Sequence, residues 1–367
     1  MIFSSFMDTY YIACGGTGGH FFPGIALAEK LMNRGHRVCL YISKKPIDAS
    51  MAAAYPQFES TMLSVMGWQG FSKVVSFIWK FYQSYRFCKR QLAQSKPKAV
   101  IGMGGFLSAP PLLAARSLGI FTALHESNAI PGRVTRWLAH RVKRVFLGFK
   151  ACANFLPNTS TRVVGTPLRP DLKRIDRTQA TATLGLSNRL KTIAVMGGSQ
   201  GAEGLNRLVC DALKKLAPTY LDQWQVIHLT GSRDEEVVRT CYASCELNAK
   251  VAAFSDAMAE VYSLSDLIIS RSGASSLNEI SFYALPSILI PYPSAADDHQ
   301  RINASVFSEK GAAILLDEKK SESQKLADLL EALMKDESRR QSMARQAASL
   351  FTKDAADQII QELEHAN

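Results

Sequence analysis

Apolar runs of strand length alternate with amphipathic stretches of helix length along the chain, and several of the runs end on glycine. TYYIAC leads into a helix expected over residues 23–34, and RVCLYI, KAVIGM, FTALHE and KRVFLG follow in turn. Runs of this kind, separated by helices, build βαβ units and a parallel sheet buried on both faces. The polar, proline-punctuated stretch GTPLRPDLKRIDRTQ (165–179) interrupts the pattern, which restarts with KTIAVM, QVIHLT, LIISR and PSILIPY. The expected fold is α/β, with two Rossmann-like doubly wound domains over residues 1–166 and 179–345 joined by a linker at 167–178. A length of 367 residues suits two such domains. From residue 321 the tail reads as helical, with Leu326, Leu329, Leu330 and Leu333 on one face. Its last part, 346–367, is expected to pack back on the first domain.

Three glycine-rich turns stand at the carboxyl ends of expected strands: GGTGGH (15–20), GMGGF (102–106) and GGSQGA (197–202). Open α/β sheets bind ligands at that edge, where backbone N–H groups at a helix amino terminus meet anions. The natural picture is a cleft between two domains that share one negatively charged ligand. GGTGGH does not match GxGxxG cleanly, and the next acid after the second strand, Asp48, lies in a Lys/Pro-rich loop. No GxxxxGK[ST] is present. Dinucleotide and P-loop chemistry are correspondingly disfavoured.

Charge narrows the partners. The chain carries +11, but residues 60–170 hold sixteen Lys and Arg against the single acid Glu126, so that window is +15 and the remainder −4. Such a surface points to an anionic membrane, a nucleic acid or a phosphorylated substrate. The seven cysteines are scattered, several inside apolar runs, and fit a reducing compartment; with no CxxC or HExxH, no structural metal is expected. The first basic residue is Lys30 and no apolar run approaches 18 residues, so a cytoplasmic protein without a membrane span is expected.

Several residues at these edges can carry chemistry. His20 closes the first turn, where an imidazole serves either as a general base or as a polar helix cap. Glu126 ends FTALHE and reads as a base, an acceptor for a ligand hydroxyl, or an ion-pair partner of an Arg. Residues 197–201 spell GxSxG, which admits a nucleophilic Ser199 with Asp266 or Asp297 and His299. No HGGG-type loop accompanies it, and Ser199 reads better as a hydroxyl donor to a diphosphate. In SRSGASSLNEI (270–280), Glu279 could take both hydroxyls of a ribose. In AADDHQRINA (295–304), Asp297 and Asp298 form either a cation site or an ordinary acidic helix start. The segment from Trp68 to Gln94 interleaves aromatic and basic residues, Trp79, Lys80 and Phe81 among them. It reads as an interfacial membrane anchor, with a core-facing helix as the alternative and no motif for nucleic acid.

Taken in order, GGTGGHFFPGIALAEKL, IGMGGFLSAPPLLAA, LHESNAIPGRVTRWLA, VVGTPLRP, VMGGSQGAEGLN, SRSGASSLNEI and DDHQRINA closely resemble the MurG family of peptidoglycan N-acetylglucosaminyltransferases, from about residue 12 to 311. The resemblance implies a GT-B fold and an inverting transfer of N-acetylglucosamine from UDP-GlcNAc to the C4 hydroxyl of the MurNAc unit of undecaprenyl-linked lipid I, giving lipid II. It implies donor contacts at Thr17, Gly18, Gly19, Asn128, Arg169, Ser199, Ser255, the run Ala274, Ser275, Ser276, Leu277, Asn278 and Glu279, and Gln300. Glu279 would hold the ribose, Gln300 the sugar hydroxyls, and Ser255 the uracil. Gly104 and Gly105 would lie on the acceptor side, with His20 as base and Glu126 as its substitute. No metal cofactor is expected. The implied partners are UDP-GlcNAc, lipid I, the anionic inner face of the cell membrane, and cell-wall synthesis and division proteins. HESN stands where the family usually has HEQN, and YISKKPID where it usually has a GTKRGLE type.

Overall fold

The computed structural model describes residues 8–65, 74–198, 202–216, 220 and 222–365. The chain divides into two units, residues 1–170 with 352–367, and residues 171–351. The first division falls inside the expected linker. The second falls six residues after the expected start of the terminal segment, because Phe351 packs on Phe282 of unit 2 with ring centroids 5.3 Å apart.

Unit 1 is built on a seven-stranded parallel sheet. Its strands are β1 (Thr9–Ala13), β2 (Arg37–Ser43), β3 (Glu59–Leu63), β4 (Ala99–Gly102), β5 (Phe121–Glu126), β6 (Arg144–Leu147) and β7 (Thr161–Val163), in the order β3-β2-β1-β4-β5-β6-β7. The period-2 alternation of a strand sends successive side chains to opposite faces. Tyr10 and Ile12 of β1 pack with α1 (Gly18–Asn33), while Tyr11 and Ala13 pack with α3 (Val74–Ser95) and α4 (Ala109–Ser117). Both faces are thereby covered, which is why these strands read as continuous apolar runs.

The last helix of the chain, Ala355–Glu364, adds Ala356, Ile359, Ile360 and Leu363 to the α1 face. Its acids meet a basic rim: Asp357 accepts from Lys30 (3.1 Å) and Arg34 (2.9 Å), Glu364 from Arg34 (3.1 Å), and Glu362 pairs with Arg144 (3.0 Å) and Arg162. Burial raises the Asp357 carboxyl, but the Lys30 and Arg34 hydrogen bonds outweigh it and hold the group below its usual range.

Unit 2 carries a six-stranded parallel sheet. It comprises β8 (Lys191–Met196), β9 (Trp224–Leu229), β10 (Ala249–Ala252), β11 (Leu267–Ser270), β12 (Ser287–Leu289) and β13 (Ala313–Leu315), in the order β10-β9-β8-β11-β12-β13. One face is filled by Leu205, Val209 and Leu213, and by Leu326, Leu330 and Leu333 of the helix Ser323–Lys335.

The strands absent from the sequence reading are β3, β7, β10 and β13, and these are the four sheet edges. An edge strand has one neighbour and needs less apolar surface, so ESTML and TRV carry little of the buried-strand signature. Helix α1 also begins five residues before the expected position, at Gly18, so that Gly18, Gly19 and His20 form its first turn and Pro23 lies inside it. Proline there removes one backbone donor from the helix, a loss offset by the burial of this face.

Candidate active site

In a doubly wound sheet, ligands bind beyond the carboxyl ends of the two strands where the winding reverses. In unit 1 these strands are β1 and β4, and in unit 2 they are β8 and β11. The motif blocks lie there. GGTGGH follows β1, GMGGF runs off β4, GGSQGA follows β8 and SRSGASSL runs off β11.

Unit 1 brings His20 against the second glycine turn. A Cβ on Gly104 would come within 2.8 Å of His20 Cε1, while one on Gly105 would make ordinary contact with Cδ2 at 3.6 Å; φ of +101° and +69° favours glycine at both, and at Gly104 the close approach adds to it. Thr17, exposed, is the N-cap of α1 and makes no side-chain capping bond. Arg169 reaches the same region from the segment after β7 and stacks 4.3 Å from the ring centroid of Phe22 in α1. Thr17, Gly18, Gly19, His20, Gly104, Gly105 and Arg169 are thus gathered at one end of the unit 1 sheet.

The floor of the first turn is occupied from within the protein. The Gly16 N–H donates to both carboxylate oxygens of the fully buried Asp48, at 2.9 and 2.7 Å, and the Ser43 hydroxyl donates to the same group. A backbone donor that would hold a phosphate in a dinucleotide domain is here satisfied by a carboxylate, whose charge disfavours a second anion alongside. The turn is therefore better suited to neutral hydroxyls than to a phosphate. In the sequence Asp48 stands in a Lys/Pro-rich loop with nothing to mark this role, because its partner Gly16 lies 32 positions away.

Glu126 is engaged by its own loop. Its side chain, 3% exposed, accepts from the Asn128 N–H (3.0 Å), the Asn128 amide (2.9 Å), the Gly132 N–H (3.1 Å) and the Thr135 hydroxyl (2.6 Å). Both oxygens are engaged in holding the loop from 126 to 135, which places Asn128 and starts helix α5 (Arg133–Leu138). The neighbouring Ser127 is also buried, its hydroxyl 3.3 Å from His125 Nδ1, so the HESN substitution falls beneath the edge. His125 is paired with the Gly165 carbonyl (2.9 Å), and burial pushes its pKa down, keeping the ring neutral.

In unit 2, helix α10 (Ala274–Tyr283) starts at Gly273 with no side-chain cap, and its first turn closes through Leu277 N–H to Gly273 O at 3.0 Å. The Leu277 side chain is fully buried in the core. Ala274, Ser275 and Ser276 lie in the open first turn, where a helix presents its backbone donors. Glu279 is 8% exposed and receives the Tyr262 hydroxyl at 2.5 Å, which orients its carboxylate. Gln300, at the start of helix α11 (His299–Glu309), accepts the Tyr292 N–H at 2.9 Å, while the Ser272 hydroxyl donates to its backbone carbonyl at 2.8 Å. Ser255 follows β10 and spends its hydroxyl accepting from Ala257 N–H at 3.1 Å. Asp298 pairs with Arg301 at 3.2 Å, so that acid serves an ordinary helix start. Ser199 lies outside the described residues.

The aromatic segment is helical over Val74–Ser95, with Trp68 to Lys73 outside the described residues. Val75, Ile78, Trp79 and Tyr82 are 78, 59, 60 and 48% exposed and form one stripe at helical spacing. Phe81, expected on that stripe, packs instead against the α3–α4 core and Phe77, because its position falls on the inward face with Ser84 and Cys88. Lys80 is partly buried at the border. Phe77, on the inward side of the helix, meets Phe106 of the second glycine turn edge-on at 6.0 Å, so α3 packs beside that turn. No helix among the described residues is long and apolar enough to cross a membrane.

Comparison with known proteins places this architecture. The glycosyltransferase family 28 N-terminal domain matches residues 10–147, and the C-terminal domain of the same family matches residues 192–359. An enzyme of Myxococcus xanthus named UDP-N-acetylglucosamine--N-acetylmuramyl-(pentapeptide) pyrophosphoryl-undecaprenol N-acetylglucosamine transferase is 35% identical over 95% of this chain and 90% of its own length. One of the same name from Opitutus terrae is 37% identical over 90 and 88%. The chain belongs to the MurG family. The crystal structure of Acinetobacter baumannii MurG superposes with a TM-score of 0.78 at 26% identity, covering 97% of this chain and 99% of that one. A Neisseria meningitidis UDP-GlcNAc 2-epimerase shares the fold, with a TM-score of 0.72 at 13% identity. As a MurG-family member the protein has the GT-B fold and is a hexosyltransferase. The GxSxG sequence is therefore a glycine turn of this family and not the elbow of a hydrolase.

Proposed function

We propose that the enzyme transfers N-acetylglucosamine from UDP-GlcNAc to the C4 hydroxyl of the MurNAc unit of undecaprenyl-pyrophosphoryl lipid I, forming lipid II with inversion at the anomeric carbon. The observation that carries this reading is the near end-to-end match to relatives named for that transfer. Unit 2 takes the sugar nucleotide, with the open first turn of α10 toward the diphosphate and Glu279 toward the ribose. Unit 1 takes the acceptor. There His20 accepts the proton as the hydroxyl oxygen bonds to C1, the C1–O bond to the diphosphate breaks, and UDP departs with the electron pair. Charge developing on the leaving diphosphate is met by the helix N–H groups of unit 2, so no metal is required.

The decisive assay is transfer of labelled GlcNAc to a lipid I analogue in excess EDTA. We expect one UDP released per sugar transferred and none without acceptor. UDP release independent of the acceptor would overturn the transfer, and loss of activity in EDTA would overturn the metal-free step.

The protein is proposed to work as a peripheral protein on the inner face of the cell membrane. The exposed stripe of α3 lies beside Lys80, Arg86 and Arg90, a pairing suited to anionic lipid. Contact between Phe77 and Phe106 packs the helix that carries the stripe against the second glycine turn, which is assigned to the acceptor side. Replacing Ile78 and Trp79 with Ser is expected to weaken binding to anionic vesicles by about tenfold or more, while turnover of a short-chain soluble acceptor persists. Unchanged sedimentation with vesicles would reject the anchor.

A further inference from the structure

At the carboxyl edge of the unit 2 sheet, one aromatic ring is held in place and yet left open. Tyr292 lies three residues beyond β12 and is 49% exposed. Its backbone N–H donates to Gln300 Oε1 at 2.9 Å, and its carbonyl accepts from Ala295 N–H at 3.1 Å. The ring centroid is 5.6 Å from the guanidinium carbon of Arg271. That arginine is itself tied down: it is 7% exposed, donates to the Ile290 and Pro291 carbonyls at 3.1 and 3.2 Å, and pairs with Glu318. Ser272 and Asn303 then lock the β11 turn to α11, through Ser272 Oγ to Gln300 O at 2.8 Å and Asn303 Nδ2 to Ser272 O at 3.2 Å. Tyr292, Gln300 and the start of α10 are therefore one connected assembly.

A half-open ring fixed by a buried cation, next to an amide, matches the two sides of a hexopyranose. The C–H groups on one sugar face form an apolar patch that stacks on an aromatic ring, and the hydroxyls at the rim need hydrogen-bond partners. The Gln300 carbonyl oxygen is used by Tyr292, which leaves its –NH2 as the donor for a sugar hydroxyl. We propose that Tyr292 is the stacking platform for the hexosamine of the sugar nucleotide, held by Arg271 and paired with Gln300. This rests on the reading of unit 2 as the sugar-nucleotide domain.

The test is calorimetric titration of the full chain with UDP and with UDP-GlcNAc, comparing the ratio of the two dissociation constants. In Tyr292→Ala the ratio of UDP-GlcNAc to UDP constants should rise by about five- to tenfold, and Tyr292→Phe, which keeps the ring, should recover most of that change. A ratio unchanged in Tyr292→Ala, or a change that Tyr292→Phe does not recover, overturns the platform. Because Tyr292 is half exposed, its truncation opens no core, and a retained UDP constant reports an intact unit 2. A wild-type protein that binds neither nucleotide overturns the sugar-nucleotide reading itself, and the platform with it.

Discussion

Truncation of His20 to alanine should lower kcat by about 10²- to 10⁴-fold, the usual contribution of a positioned general base. By the relation of about 1.36 kcal/mol per decade, that is roughly 3–5 kcal/mol of transition-state stabilisation. Unit 1 sets this imidazole, which belongs to the first glycine turn, against Gly104 and Gly105 of the second. Donor affinity should change little, since the nucleotide is assigned to unit 2. Added imidazole should restore part of the rate in His20→Ala, because the vacated space lies beside Gly104 and Gly105, which carry no side chain to fill it. A kcat within threefold of wild type, with no response to imidazole, would remove His20 from the mechanism.

Removing the Glu126 carboxylate should act on stability first. Glu126→Ala strips the acceptor from the Asn128 and Gly132 N–H groups and from the Thr135 hydroxyl, all around a side chain only 3% exposed. Each stranded donor costs about 1–3 kcal/mol, so a loss of about 3 kcal/mol or more is expected. For a unit of this size that lowers Tm by roughly 6–12 °C. The activity that survives should still depend on His20 in a double variant, as it would not if Glu126 were the base. A variant of normal Tm and abolished turnover would reverse the assignment and make Glu126 the proton acceptor.

Much of this site is legible in the sequence. Glycine turns at strand ends are local features, and the rule that ligands gather at the carboxyl edge turned them into a site. His20 lies in the first turn of the helix after β1, Gly104 and Gly105 in the turn after β4, Glu279 in the helix after β11 and Gln300 at the start of the helix after β12. Side-chain partnerships were not legible. Asp48 reads as a loop acid until Gly16 is seen above it, and Phe81 reads as an anchor until the phase of α3 turns it inward. Arg271 carried a faint signal, a cation in an otherwise small and polar turn, whereas nothing near Tyr262 announced its bond to Glu279.

The sequence alone determined the two doubly wound halves, the strands at the centre of each sheet, and the edges where chemistry can occur. These follow from periodicity and glycine spacing, which act over a few residues. Tertiary structure decided the four edge strands, the occupant of the first glycine turn, the role of Glu126 and the ring held open at Tyr292. Those features depend on hydrogen bonds and packing between segments far apart in the chain, and a buried donor takes whichever acceptor the fold delivers to it.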